Sequence, residues 1–138
     1  MSRRAPAALL ALGCLASLAG CGAGSTKPYT AAGTAPCLRD KGFTQVTTNA
    51  AKVGFIAGVA DNGGVRAAAS APGNVLTIAF TASDADVAGT KRAFTRQAPP
   101  RLRHHMRDIM ESQRNAVLVW TVTPSSQQLD DALGCLHS

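Results

Sequence analysis

The chain has no run of roughly 20 apolar residues, the length a helix needs to span a hydrocarbon core of about 30 Å. It has no C-x-x-C pair, which removes the common zinc and dithiol patterns. No G-x-S-x-G surrounds Ser112, Ser125 or Ser126, which removes the nucleophile-elbow hydrolases. Aromatic residues are only 4% of the sequence, too few to interleave with basic side chains as single-strand nucleic-acid binding demands. The glycines of Gly54-Phe55-Ile56-Ala57-Gly58 fit no phosphate-cradling pattern. What remains is a chain of 138 residues, rich in alanine and glycine, with a formal net charge of +6.

The order of features at the N-terminus is informative. Arg3 and Arg4 precede an apolar stretch, Ala7 to Leu18, broken only by Gly13, Cys14 and Ser17, and the small residues Ala19 and Gly20 then precede Cys21. A positive end, an apolar middle and a small-residue exit are the zones of a secretory signal, here residues 1–20. Leu18-Ala19-Gly20-Cys21 also resembles the lipobox of bacterial lipoproteins at every position. The resemblance implies a diacylglycerol on the Cys21 thiol, cleavage that leaves Cys21 as the first residue, and often acylation of its amine. Cys14 lacks the leucine three positions before it, and Ala5-Pro6-Ala7 departs from a twin-arginine signal, so general secretion is expected. The competing reading is an ordinary cleaved signal near Cys21-Gly22-Ala23. Two or more acyl chains hold a protein stably on a bilayer, so the expected location is the outer face of the cytoplasmic membrane, in the cell envelope. Residues 21–35 then read as lipidated cysteine and flexible linker, and residues 36–138 as one small domain.

With Cys21 assigned to lipid and Cys14 to the removed signal, Cys37 and Cys135 are left at the two ends of the domain. An exported chain meets an oxidising compartment, where such a pair reads as a disulfide. The alternative is a metal site of Cys37, Cys135 and His137, whose spacing matches no zinc pattern.

Pro36 to Lys41 reads as a helical turn, residues 43–48 as a strand, and Asn49 as the cap of a helix over 50–60. An edge strand over 65–70 and a clearer one over 75–81 follow, then a helix begun at Ser83 and running to Gln97. Leu102, Met106, Ile109 and Met110 share one face of a second helix, residues 116–123 form the best strand, and Ser125 to Gln128 fits a capping box before a last helix. Strand, helix, strand, strand, helix, strand, with a helix at each end, is the order of an α+β two-layer sandwich, ferredoxin-like (βαββαβ) and closed here by the disulfide. If residues 51–70 are irregular, a three-stranded α+β domain remains. The layout also resembles small secreted lipoproteins of high-GC Gram-positive bacteria, through Cys37-Leu38, Gly42-Phe43, Asn115 to Trp120 and Cys135-Leu136. That resemblance implies no activity.

The strongest feature outside the signal is the basic stretch from Lys91 to Arg114, which holds Arg92, Arg96, Arg101, Arg103, Arg107, His104 and His105 against Asp108 and Glu111 alone. On a helix, Arg101, Arg103 and Arg107 would form an exposed face for anionic lipid or an acidic wall polymer, or simply a solvated surface. Nucleic acid is disfavoured by compartment. His104 and His105 point about 100° apart on a helix and do not converge on one ion. Trp120 lies on a strand with Leu118 and Val122, as core or as a stacking platform. Asp84, Asp86, Asp130 and Asp131 fall in the first turns of helices, where the dipole accounts for them. No catalytic residue, metal or cofactor is expected. The expected function is a lipid-anchored, non-enzymatic binding or accessory module of the envelope, with an unknown protein partner. A small secreted enzyme or enzyme inhibitor, or a tethered carrier of a small hydrophobic ligand, are the alternatives, and a cavity near Trp120 would favour the carrier.

Overall fold

The computed structural model describes residues 27–69 and 73–138. The expected signal, Cys21, the first part of the expected linker and residues 70–72 lie outside the described residues. In chain order the elements are α1 (Ala31–Asp40), β1 (Thr44–Thr47), α2 (Phe55–Gly58), β2 (Gly64–Ala68), β3 (Val75–Phe80), α3 (Val87–Gln97), α4 (Met106–Ile109), β4 (Met110–Gln113), β5 (Ala116–Trp120) and α5 (Ser126–Gly134), with 3-10 turns at Asp84–Asp86 and Pro100–His105.

The strands form one antiparallel sheet in the order β1-β2-β3-β5-β4. Its register follows from the alternation of β-branched and large apolar residues. Val65 faces Ile78, Ile78 faces Leu118 and Leu76 faces Trp120, so one face is a continuous apolar surface. Onto it pack Ala31, Ala35 and Leu38 of α1 with Ala132, Cys135 and Leu136 at the end of the chain. The opposite face carries Gly64 and Ala79, and there Ala79 packs with Ile56, Ala57 and Val53. Gly64 is required at this contact: a Cβ on it would sit 2.5 Å from the Ala57 carbonyl oxygen.

The α+β class stands, but the sheet has five strands where four were expected, and the ferredoxin-like order is not found. That topology places the first strand inside the sheet beside the last, whereas β1 is an edge that pairs β2. Helices also cover both faces, so the domain is not two-layered. Three local readings change with it. Helix α1 starts at Ala31 rather than at Pro36, because Thr30 Oγ1 accepts from the Gly33 N–H and Ala31, Thr34, Ala35 and Leu38 form a buried stripe. The expected linker therefore ends before residue 31. Asn49 caps only a turn, its Oδ1 accepting from the Ala51 N–H, and Gly54 at φ 92° confines the helix over 50–60 to α2. The second helix is replaced by a 3-10 turn, the short α4 and strand β4, since Met110 pairs with Val119.

Buried asparagines tie these pieces together. Asn115 Oδ1 accepts from the Tyr29 N–H at 2.8 Å, and its Nδ2 donates to the carbonyls of Tyr29 and Thr81 at 3.0 and 2.9 Å. Asn74 makes the equivalent clasp at the other end of β5, accepting from the N–H groups of Thr121 and Val122 and donating to the Val122 carbonyl. Asn115→Ala strands these backbone partners in the interior. We expect it to lower the unfolding free energy by about 2–3 kcal/mol, measured by urea denaturation.

Candidate functional site

Ala98 leaves α3 in an extended conformation, and Pro99-Pro100 prevents the helix from continuing. The chain turns back along the sheet edge through Pro100–His105 and α4 into β4. This return brings Arg103 against the end of α3: its Nε donates to the Ala98 carbonyl at 3.1 Å and its Nη2 to the Arg96 carbonyl at 3.3 Å. Arg103 thus caps carbonyls that the helix end leaves open. The three arginines expected on one helix face are therefore separated in role, with Arg101 and Arg107 exposed on the returning segment and Arg103 folded onto α3.

The other sequence candidates fall as follows. Cys37 and Cys135 are joined in a disulfide across a sequence separation of 98, which removes both as metal ligands beside His137. His104 and His105 are exposed, and His105 Nδ1 lies 3.8 Å from an Asp108 carboxylate oxygen. Among the described residues no group of three or more His, Cys, Asp or Glu side chains is placed to hold a metal. Ser83, expected to cap a helix, instead donates from its hydroxyl to the Asp86 carboxylate at 2.7 Å. Ser125 and Gln128 do form the capping box of α5. Asp131 lies beyond the first turn of α5 and pairs with Lys41 at 3.2 Å. The Gln127 amide, and then Lys41, hold its carboxyl below the ordinary carboxylate range.

Trp120 is core: it is 2% exposed and tilts against Phe43 with ring centroids 6.2 Å apart. It also lines a cleft of about 330 Å³ between the end of α3, the returning segment and β5. Phe94, Leu102, Met106 and Val119 complete its apolar walls, and Leu102 is 37% exposed. The Trp120 Nε1 atom is buried without a hydrogen-bond partner, where buried indole N–H groups ordinarily find one. Only Trp120 of this set was a candidate from sequence; the rest come from segments whose proximity depends on the turn at Pro99-Pro100.

Two further clefts open on the same side of the sheet as α2. One, about 470 Å³, runs between α2 and α3 over Ile56 and Ala93, with Phe55 and Val59 at its lip 73% and 65% exposed. The other, about 460 Å³, lies over β1 and β2 and contains Lys52 and Arg66, neither with a carboxylate partner among the described residues. Its Gln45 has φ 51°, where the β1–β2 register shifts. No signal in the sequence marks either cleft, since each joins residues from separate elements. No family model, curated protein or solved structure matches the chain.

Proposed function

We propose that the mature chain is a lipid-anchored, extracytoplasmic binding module of the cell envelope, without catalysis of its own. The observation that carries this reading is Leu18-Ala19-Gly20-Cys21 behind Arg3-Arg4 and an apolar stretch. The Cys37–Cys135 bond supports it, because disulfides persist in oxidising compartments and are reduced in the cytosol. No described helix is long and apolar enough to cross a membrane, and in this proposal the lipid on Cys21 supplies the attachment. Arg101 and Arg107, exposed on the returning segment, give the domain a basic surface toward anionic headgroups or an acidic wall polymer. Intact-mass measurement on the native protein tests the anchor. The expected species begins at Cys21 and carries added diacylglycerol mass, and Cys21→Ser moves the protein from the membrane fraction to the soluble one. A native chain that begins at Cys21 with no added mass overturns the anchor.

The apolar cleft beside Trp120 favours one form of binding module, a tethered carrier of a small hydrophobic ligand. Its volume sits at the low end of ligand pockets, about 300–1,000 Å³, and its walls are mostly apolar.

A further inference from the structure

We infer that the Trp120 cleft binds a single-chain amphiphile with an anionic head, its chain against Phe94, Met106 and Trp120 and its head at Arg103. This rests on the carrier reading and names its ligand. The walls supply the first half of the argument: they are mostly apolar, from Phe94, Leu102, Met106 and Val119, with Gln97 and Thr121 as the polar side chains and no carboxylate. An apolar chain is the occupant such walls select.

The second half concerns the head. Ala98 lines the cleft, and the Arg103 guanidinium is bonded to its carbonyl, so a fixed positive charge stands at the rim. A guanidinium has five N–H donors, and only two are engaged by the Ala98 and Arg96 carbonyls. The remainder are free for a carboxylate or phosphate oxygen, the groups a planar donor fork suits best. The segment that forms the outer wall reinforces the sign, since Pro100–Ile109 carries Arg101, Arg103 and Arg107 against Asp108 alone. Apolar walls and a cationic rim describe one ligand class, the long-chain carboxylate or phosphate monoester taken up as a monomer.

The chain contains a single tryptophan, and it lines this cleft, so intrinsic fluorescence reads occupancy directly. The experiment uses the mature Cys21→Ser chain, which makes the result independent of whether Cys21 is lipidated. Dodecanoate, decanol and dodecyltrimethylammonium are titrated below their micellar concentrations. We expect a saturable emission shift with dodecanoate, at a dissociation constant about tenfold lower than for either other compound. Arg103→Gln should bring the dodecanoate affinity down to that of decanol, and Leu102→Ser, which trims the apolar wall without adding a charge beside Arg103, should weaken dodecanoate and decanol alike. Equal binding of dodecanoate and decanol overturns the anionic assignment and leaves the carrier reading standing. No saturable response to any of the three overturns both. A response to phosphatidylglycerol vesicles without one to monomeric dodecanoate overturns the ligand proposal and assigns the surface to the bilayer.

Discussion

Replacing Cys37 and Cys135 together by serine should lower the unfolding free energy by about 4–5 kcal/mol, the chain-entropy value for a closed loop of about 100 residues. Small domains are stable by only about 5–15 kcal/mol, so the variant sits near the threshold of folding at 37 °C. The bond fastens the second half of α1 to the residue that ends α5, and both helices lie on the same face of the sheet. Without it the two ends are held by packing around Leu38, Ala132 and Leu136, by the Lys41–Asp131 pair and by two backbone-donated hydrogen bonds. In these the Thr30 N–H donates to the His137 carbonyl and the His137 N–H to Thr34 Oγ1. Those contacts form only once the ends have met, and the disulfide removes that encounter from the unfolded ensemble. Cys135 is fully buried, so serine there adds an unmet hydroxyl. The Cys37→Ala, Cys135→Ala pair separates that term from the cross-link, and wild type in reductant should match it. Urea denaturation gives the comparison, and a loss below about 1 kcal/mol for the alanine pair would show that the ends are held by packing alone.

Where a local signal and the tertiary environment agree, the sequence is readable. Apart from Ala79 and Ala116, Val75–Phe80 and Ala116–Trp120 consist of β-branched or large apolar residues, and both form interior strands. Ser125 and Gln128 satisfy each other's backbone whatever else packs nearby, so the start of α5 is legible. The cysteine pairing is legible by counting, if Cys21 is set aside for lipid, and the Cys37–Cys135 bond is present. Strand β4 is not readable in the same way. Met110-Glu111-Ser112-Gln113 has no β-branched residue, and Met106 and Ile109 are buried at a spacing that suits a helix. Helical spacing therefore extended across Met110, whose strand pairing is imposed by β5 through the tight turn at Arg114 and Asn115. That turn depends on Arg114 at φ 50°, held by a bond to the Lys27 carbonyl and by stacking over Tyr29. Neither partner is near in sequence. The cleft is illegible for the same reason: Phe94, Met106 and Trp120 carry no shared period and meet only because the chain reverses after Pro100. Arg103 shows the limit most plainly, since charge alone suggested a solvated face and the reversal turns the side chain into a helix cap.

Trp120→Ala should cost about 3–5 kcal/mol, the range for truncating a large buried aromatic side chain. The ring fills the end of the core beside Phe43 and opposite Leu76, and its removal merges that space with the adjoining cleft. Trp120→Phe should cost less than half as much. Phenylalanine keeps an aromatic body against Phe43, and it also deletes the indole N–H that is buried without a partner. An unmet buried donor carries a penalty of about 1–3 kcal/mol, so its removal offsets part of the packing that the smaller ring loses. The ratio of the two losses, read from urea denaturation of both variants, reports on the indole nitrogen separately from the ring. If phenylalanine costs as much as alanine, the nitrogen is bonded in solution to something the protein does not supply.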